Sequence, residues 1–229
     1  MSFADYLREQ TAADREFLLA APIIQDALAA RLSRERYVSF LVQAYHHVRH
    51  TVPLLMAVGA RVGDRRPWLQ QQILHYLEEE AGHEQWVLND IEAAGGDRQA
   101  ASASLPNVET DAMVAYAWDV VNRRNAVGFF GMVHVLEGTS VALAAQAAQT
   151  IRQSLGLPAH AFSYLTSHGE LDQQHLQQLR GILDRLSDAE DQAAVLECTR
   201  AMYWLYGQMF RGIDRAASDP TRGSTRSAA

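Results

Sequence analysis

Helical periodicity runs through nearly the whole chain, and it constrains the fold more than any other feature. Apolar residues recur at three- and four-residue intervals, and no stretch shows the alternation of a half-buried strand. Glycine and proline divide this pattern into segments. A first helix is expected over roughly residues 3–20, with Pro22 after it and a short helical piece near 23–31. Ser33 is placed to cap RERYVSFLVQAYHHVRHTVPLLMAVGARV, which Pro53 should kink. Gly63 and Asp64 end that segment, Pro67 opens a helix reaching about residue 94, and Gly95 and Gly96 stop it. A polar loop at about 97–107 leads to a helix at about 108–123. FFGMVHVLEGTSVALAAQAAQTIRQSL then reads as a central helix buried nearly all round. Gly156 and Pro158 break it, and two more helices follow at about 159–185 and 188–214. The expectation is one all-α domain over residues 1–215, a bundle of about seven to eight helices, with a disordered polar tail at 216–229.

Composition removes several classes of function. The chain has 229 residues, 48% of them hydrophobic, enough for a sizeable core, and a net charge of −7 that gives no basic footprint for nucleic acid. The single Cys198 cannot form an internal disulfide, which suits a reducing compartment. The N-terminal MSFADYLREQTAADREF is amphipathic and carries acids, unlike a secretory or transit peptide. No apolar run is expected to span a membrane, so the setting read from sequence is the cytoplasm. There is no lysine, which excludes Schiff-base chemistry and a P-loop, and no GxSxG elbow. Chemistry must run on His, Asp, Glu, Tyr or a bound cofactor.

Three segments carry residues suited to it. In HGELDQQH, His168, Asp172 and His175 lie four and three residues apart, the spacings that stack side chains on one helical face. YLEEEAGHEQW places Glu80 and His83 as a Glu-x-x-His pair. VHVLEGTSVAL holds Glu137 among apolar neighbours, where an unpartnered carboxylate would cost several kcal/mol (roughly) or take up a proton. Each has a plainer reading: a solvated acidic face at 78–80, a satisfied buried histidine at 83, an ordinary surface helix at 168–175. Together they make three imidazoles and three carboxylates with no thiolate, a donor set foreign to iron–sulfur clusters and uncommon for structural zinc. Helical bundles build two-metal sites from inward carboxylates and Glu-x-x-His pairs, and a central carboxylate such as Glu137 can bridge two ions.

A second cluster, His46, His47 and His50 in AYHHVRHTVP, has no matching carboxylate. It can line a substrate cavity, where Arg49 or His50 would grip a carboxylate and Tyr76 would shape the wall, or form a polar rim on a kinked helix. The apolar residues Met202, Trp204, Leu205 and Phe210 make the last helix a candidate homodimer contact.

A Glu-x-x-His helix, a lone Glu on a later apolar helix and then His-x-x-x-Asp-x-x-His resemble the haem-oxygenase-like di-iron oxidases, relatives of TenA thiaminases and PqqC-type oxidases. The resemblance covers about residues 35–185 in order. It implies that the bundle is haem-oxygenase-like, and that His83, Glu137, His168, Asp172 and His175 are metal ligands. Glu137 would be the bridge and would change its coordination during catalysis. Glu80 is the further ligand, with Glu79 as its rival. It also implies two iron ions, dioxygen as co-substrate, and oxidation of a small metabolite, expected to bear a carboxylate. A thiaminase-type cysteine at mid-chain is missing, the only thiol being Cys198 on the last helix. The alternative function is a metal-free TenA-like hydrolase or small-molecule-binding protein.

Overall fold

A computed structural model describes residues 1–63 and 66–218, the side chains of 168–174 and 216–218 excepted. Among the described residues it contains twelve α-helices and no strand. They are α1 Phe3–Gln10, α2 Ala12–Leu19, α3 Pro22–Leu28, α4 Arg34–Val48, α5 Thr51–Val62 and α6 Pro67–Glu80. There follow α7 His83–Ala93, α8 Arg98–Ala103, α9 Val108–Arg123, α10 Phe129–Leu155, α11 Ser163–Arg185 and α12 Ala189–Ser218. The count exceeds seven to eight because three expected helices are broken. The first divides at Thr11, whose hydroxyl donates back to the Leu7 carbonyl at 2.8 Å. The second divides at Arg49–His50, shortly before Pro53. Pro53 therefore sits in the first turn of α5, where a missing N–H costs nothing, and does not kink a continuous helix. The third divides at Ala81–Gly82. The stretch expected as loop at 97–107 contains α8, whose first turn Asp97 caps by accepting from the N–H groups of Gln99 and Ala100. Residues 219–229 of the expected tail lie outside the described residues.

Local capping fits the sequence. Ser33 accepts from the Arg36 N–H to start α4, Asn107 from the Thr110 N–H to start α9, and Pro67 occupies the first turn of α6. α10 is the spine of the bundle, packed between α11 and α12. Its first half is buried from Phe129 through Val133, but Ala142, Ala145 and Gln146 are exposed, so it is not buried all round. Ala126–Leu155 is also long and apolar enough to cross a membrane by length and composition alone, contrary to expectation. Within its most apolar stretch 56% is buried inside the chain, and it carries Glu137; these are the properties of a core helix.

α10 and α12 cross with almost no space between them. A Cβ added at Gly131 would stand 2.6 Å from the Val195 carbonyl oxygen and 2.7 Å from the Thr199 amide nitrogen, both backbone atoms. Gly131→Ala should therefore destabilise the chain by about 2 kcal/mol, read from urea unfolding, because the two helices must separate. Two of the apolar residues expected at a dimer contact, Met202 and Phe210, are spent in this core, while Trp204 is 55% exposed.

Buried histidines set the acid limit of this bundle. Burial pushes His46 down to about 4 and His134 likewise to about 4. His46 Nε2 lies 2.8 Å from the Ser104 hydroxyl, which itself donates to the Ala101 carbonyl at 2.8 Å, so the ring nitrogen is the donor. A depressed histidine contributes stability above its unfolded value of 6.5 and loses it as pH falls toward 4. The loss runs at up to about 1.4 kcal/mol per pH unit for each group. Thermal melting should fall across that window, and His46→Asn, which keeps a donor for Ser104, should flatten the fall.

Candidate metal centre

The site begins where α6 ends. Ala81 is extended, and Gly82 takes φ +91°, a left-handed conformation that glycine adopts without penalty. The helix expected to run on to residue 94 therefore breaks between Glu80 and His83. The pair still meets, with Glu80 Oε2 3.0 Å from His83 Nδ1, both residues buried. Trp86, one turn into α7, stacks on the His83 ring with centroids 4.0 Å apart. Sequence reading missed this contact, although the three-residue spacing signals it.

α10 brings Glu137 and α11 brings His175 to the same point. His175 Nδ1 lies 3.5 Å from Glu137 Oε1 and 3.7 Å from Glu80 Oε1. Glu80, Glu137 and His175 are all buried, and each offers one ligand atom, all within 4.8 Å of one another. Glu79 approaches from the other side, its Oε2 2.9 Å from His175 Nε2 and its Oε1 3.4 Å from His75. So adjacent glutamates take opposite edges of one imidazole, and Glu80 is the one that faces Glu137. Tyr76 closes the wall, its hydroxyl donating to the His175 carbonyl at 3.2 Å and its ring 5.3 Å from the imidazole. The side chains of His168 and Asp172 lie outside the described residues, though both positions belong to α11.

α11 is held in register from α7. Asp90 accepts from the Ser163 N–H at 3.0 Å, the Ser163 hydroxyl at 2.6 Å and the Tyr164 N–H at 2.8 Å. It thereby caps a helix not its own. Burial pushes this carboxyl up from its ordinary value, and the three donors pull against that. The helix bearing His83 thus also fixes the helix bearing His175.

A cavity of about 150 Å³ opens onto the cluster, with Glu80, Glu137, Tyr76 and His47 in its wall. Arg49 and His50 are not among its lining residues. They form the turn between α4 and α5, and a turn at the bundle surface aims its side chains outward. Arg49 is exposed with its guanidinium over the Tyr45 ring, and His50 Nδ1 accepts from the Trp118 indole at 3.4 Å. Neither residue therefore borders this cavity. Of the residues expected from sequence to line or serve a substrate cavity, His47 and Tyr76 border this one.

Two carboxylates buried this close repel one another unless positive charge or a proton lies between them. Imidazole and carboxylate oxygen without thiolate is the donor set of iron, manganese and similar ions, so the residues present fit a metal. Glu80, Glu137 and His175 thus form a possible metal-binding triad in an all-α bundle. The family model described as "iron-containing redox enzyme" matches residues 38–207, and the chain belongs to that family. No curated protein matches it. Among solved structures it is similar to a domain of unknown function with a haem oxygenase-like fold from Shewanella denitrificans. That likeness has 20% identity and a TM-score of 0.87, over 100% of this chain and 99% of the other. It is also similar to a TenA homologue from P. horikoshii (11% identity, TM-score 0.78, covering 94% and 99%). Haem oxygenase-1 from Synechocystis, solved with haem, gives 12% identity and a TM-score of 0.71, covering 98% and 99%. At these identities the likeness shows the haem-oxygenase-like fold.

Proposed function

We propose that the chain is a non-haem di-iron oxidase that uses dioxygen to oxidise a small-molecule substrate. The observation that carries this is the meeting of Glu80, Glu137 and His175 in a buried cluster at the wall of a cavity, in a member of an iron-containing redox family. Glu137 would bridge two ions from α10, Glu80 and His83 would serve them from the α6–α7 break, and His175 would serve them from α11. His168 and Asp172 would complete the set from the same helix. Iron held by these residues would supply electrons and open coordination positions to dioxygen, which no side chain here can do.

The chain's own residues do the rest. The apolar wall around Glu137 keeps bulk water from the centre and strengthens each charge interaction within it. Tyr76 ties the α11 backbone at His175 to α6, so the two ligand-bearing helices stay in register. Trp86 stacked on His83 fixes that ring's orientation. The test is dioxygen consumption by protein loaded anaerobically with Fe(II). Wild type should consume oxygen at about one molecule per iron pair, far faster than iron in buffer, and His175→Ala should not. Equal rates for the two proteins would overturn the reading in favour of a metal-free TenA-like hydrolase or binding protein.

A further inference from the structure

The cavity continues past the metal centre on both sides. Along α10 its wall begins at Phe129, eight residues before Glu137, and ends at Ile151, fourteen residues after it. At the helical rise this is about 12 Å on one side and about 21 Å on the other. Leu55 of α5 lines the cavity along with Phe129. Residues of α3 and the aromatic group of Phe40, Tyr164 and Phe210 add further apolar wall. Phe40 and Phe210 stack with ring centroids 5.8 Å apart.

A volume of about 150 Å³ drawn out over such a length is slender. It suits a flexible chain better than a ring system or a compact polar metabolite. Among the described residues no arginine lines it. Among the described residues its charged side chains are Glu80 and Glu137, both at the centre; Thr51, Thr139, Ser140, Tyr164 and Tyr206 add hydroxyls along the wall, and the remainder is largely apolar.

We propose that the substrate is an extended aliphatic chain that passes the metal centre, so that an interior stretch of it, not an end, lies against Glu137. This deepens the oxidase reading, and rests on it for what happens to the chain once bound. The binding itself does not need the metal.

The experiment is therefore a titration of metal-free protein with straight-chain alkanols from hexanol to tetradecanol, with succinate as the compact polar comparison. Affinity should rise about fourfold for each added methylene until the cavity is full, then level off. Two blocking variants test the passage: Val133→Phe before Glu137 and Ala144→Phe after it, both at buried lining positions. Each should lower the chain length at which affinity levels off while leaving hexanol binding within a few-fold of wild type. If Ala144→Phe does not fold by circular dichroism, Ala147→Phe at a half-buried lining position makes the same test. Affinity independent of chain length, or succinate binding as tightly as decanol, would overturn the aliphatic chain. An effect from the α10 block on one side only would overturn the passage, since the chain would then end at the centre. Loss of the oxidase reading would show instead as failure to bind iron, with the alkanol series unchanged.

Discussion

Replacing Glu137 by Ala should weaken Fe(II) binding by about a hundredfold or more, because partners one shell further out already cost ten- to a hundredfold. Glu137 has a ligand atom within 4.8 Å of those of Glu80 and His175 and comes from a third helix, so its loss removes one of the three buried donors. The same change should act the other way on the metal-free protein. There, two buried carboxylates within one cluster repel, and neutralising one relieves the repulsion. Glu137→Gln keeps the shape and removes the charge. Its metal-free melting temperature should equal or exceed that of wild type, while its iron affinity falls with that of the Ala variant. Chelator competition and calorimetry on the two variants check both halves. A Gln variant that binds iron like wild type would mean that Glu137 holds the fold and not the ion.

Asp90→Ala should destabilise the chain by about 3 kcal/mol, the cost of stripping a buried charged acceptor from its donors. Asp90 is fully buried, and its three bonds all go to the start of α11. Asp90→Asn keeps one oxygen and should cost about half as much. The larger consequence lies at the centre. α7 carries both Asp90 and His83, and α11 carries His175, so loosening this cap lets two ligand helices slide. Iron affinity should fall in the Ala variant although Asp90 belongs to no ligand group. Urea unfolding measures the first effect and Fe(II) competition the second. A loss below about 1 kcal/mol would show that α11 is fixed by packing alone.

The residues that meet in the cluster are legible in the sequence because their signals are local. Helical spacing marks Glu80 with His83, and a lone carboxylate in an apolar helix marks Glu137. What escaped the sequence depends on contacts distant in the chain. Glycine at 82 gives no sign by itself that α6 stops there, since glycine is tolerated within helices; only the left-handed φ reveals the break. Glu79 and Glu80 are equivalent in composition, and the direction of α6 against α11 decides which faces Glu137. Arg49 and His50 read as substrate ligands because they belong to one polar cluster with His46 and His47. The helix ends between them, so His47 lines the cavity and Arg49 leaves it. The cap from Asp90 to α11 spans seventy-three residues and has no local signature.

The central claim is that the cluster of Glu80, Glu137 and His175 is an iron site, and anaerobic Fe(II) titration followed by Mössbauer spectroscopy tests it most directly. Wild type should take up about two irons per chain as a coupled pair, and Glu137→Ala should take up none at the same free Fe(II). No uptake by wild type, or identical uptake by the variant, would contradict the claim and leave the buried carboxylates and imidazole as a hydrogen-bonded part of the core.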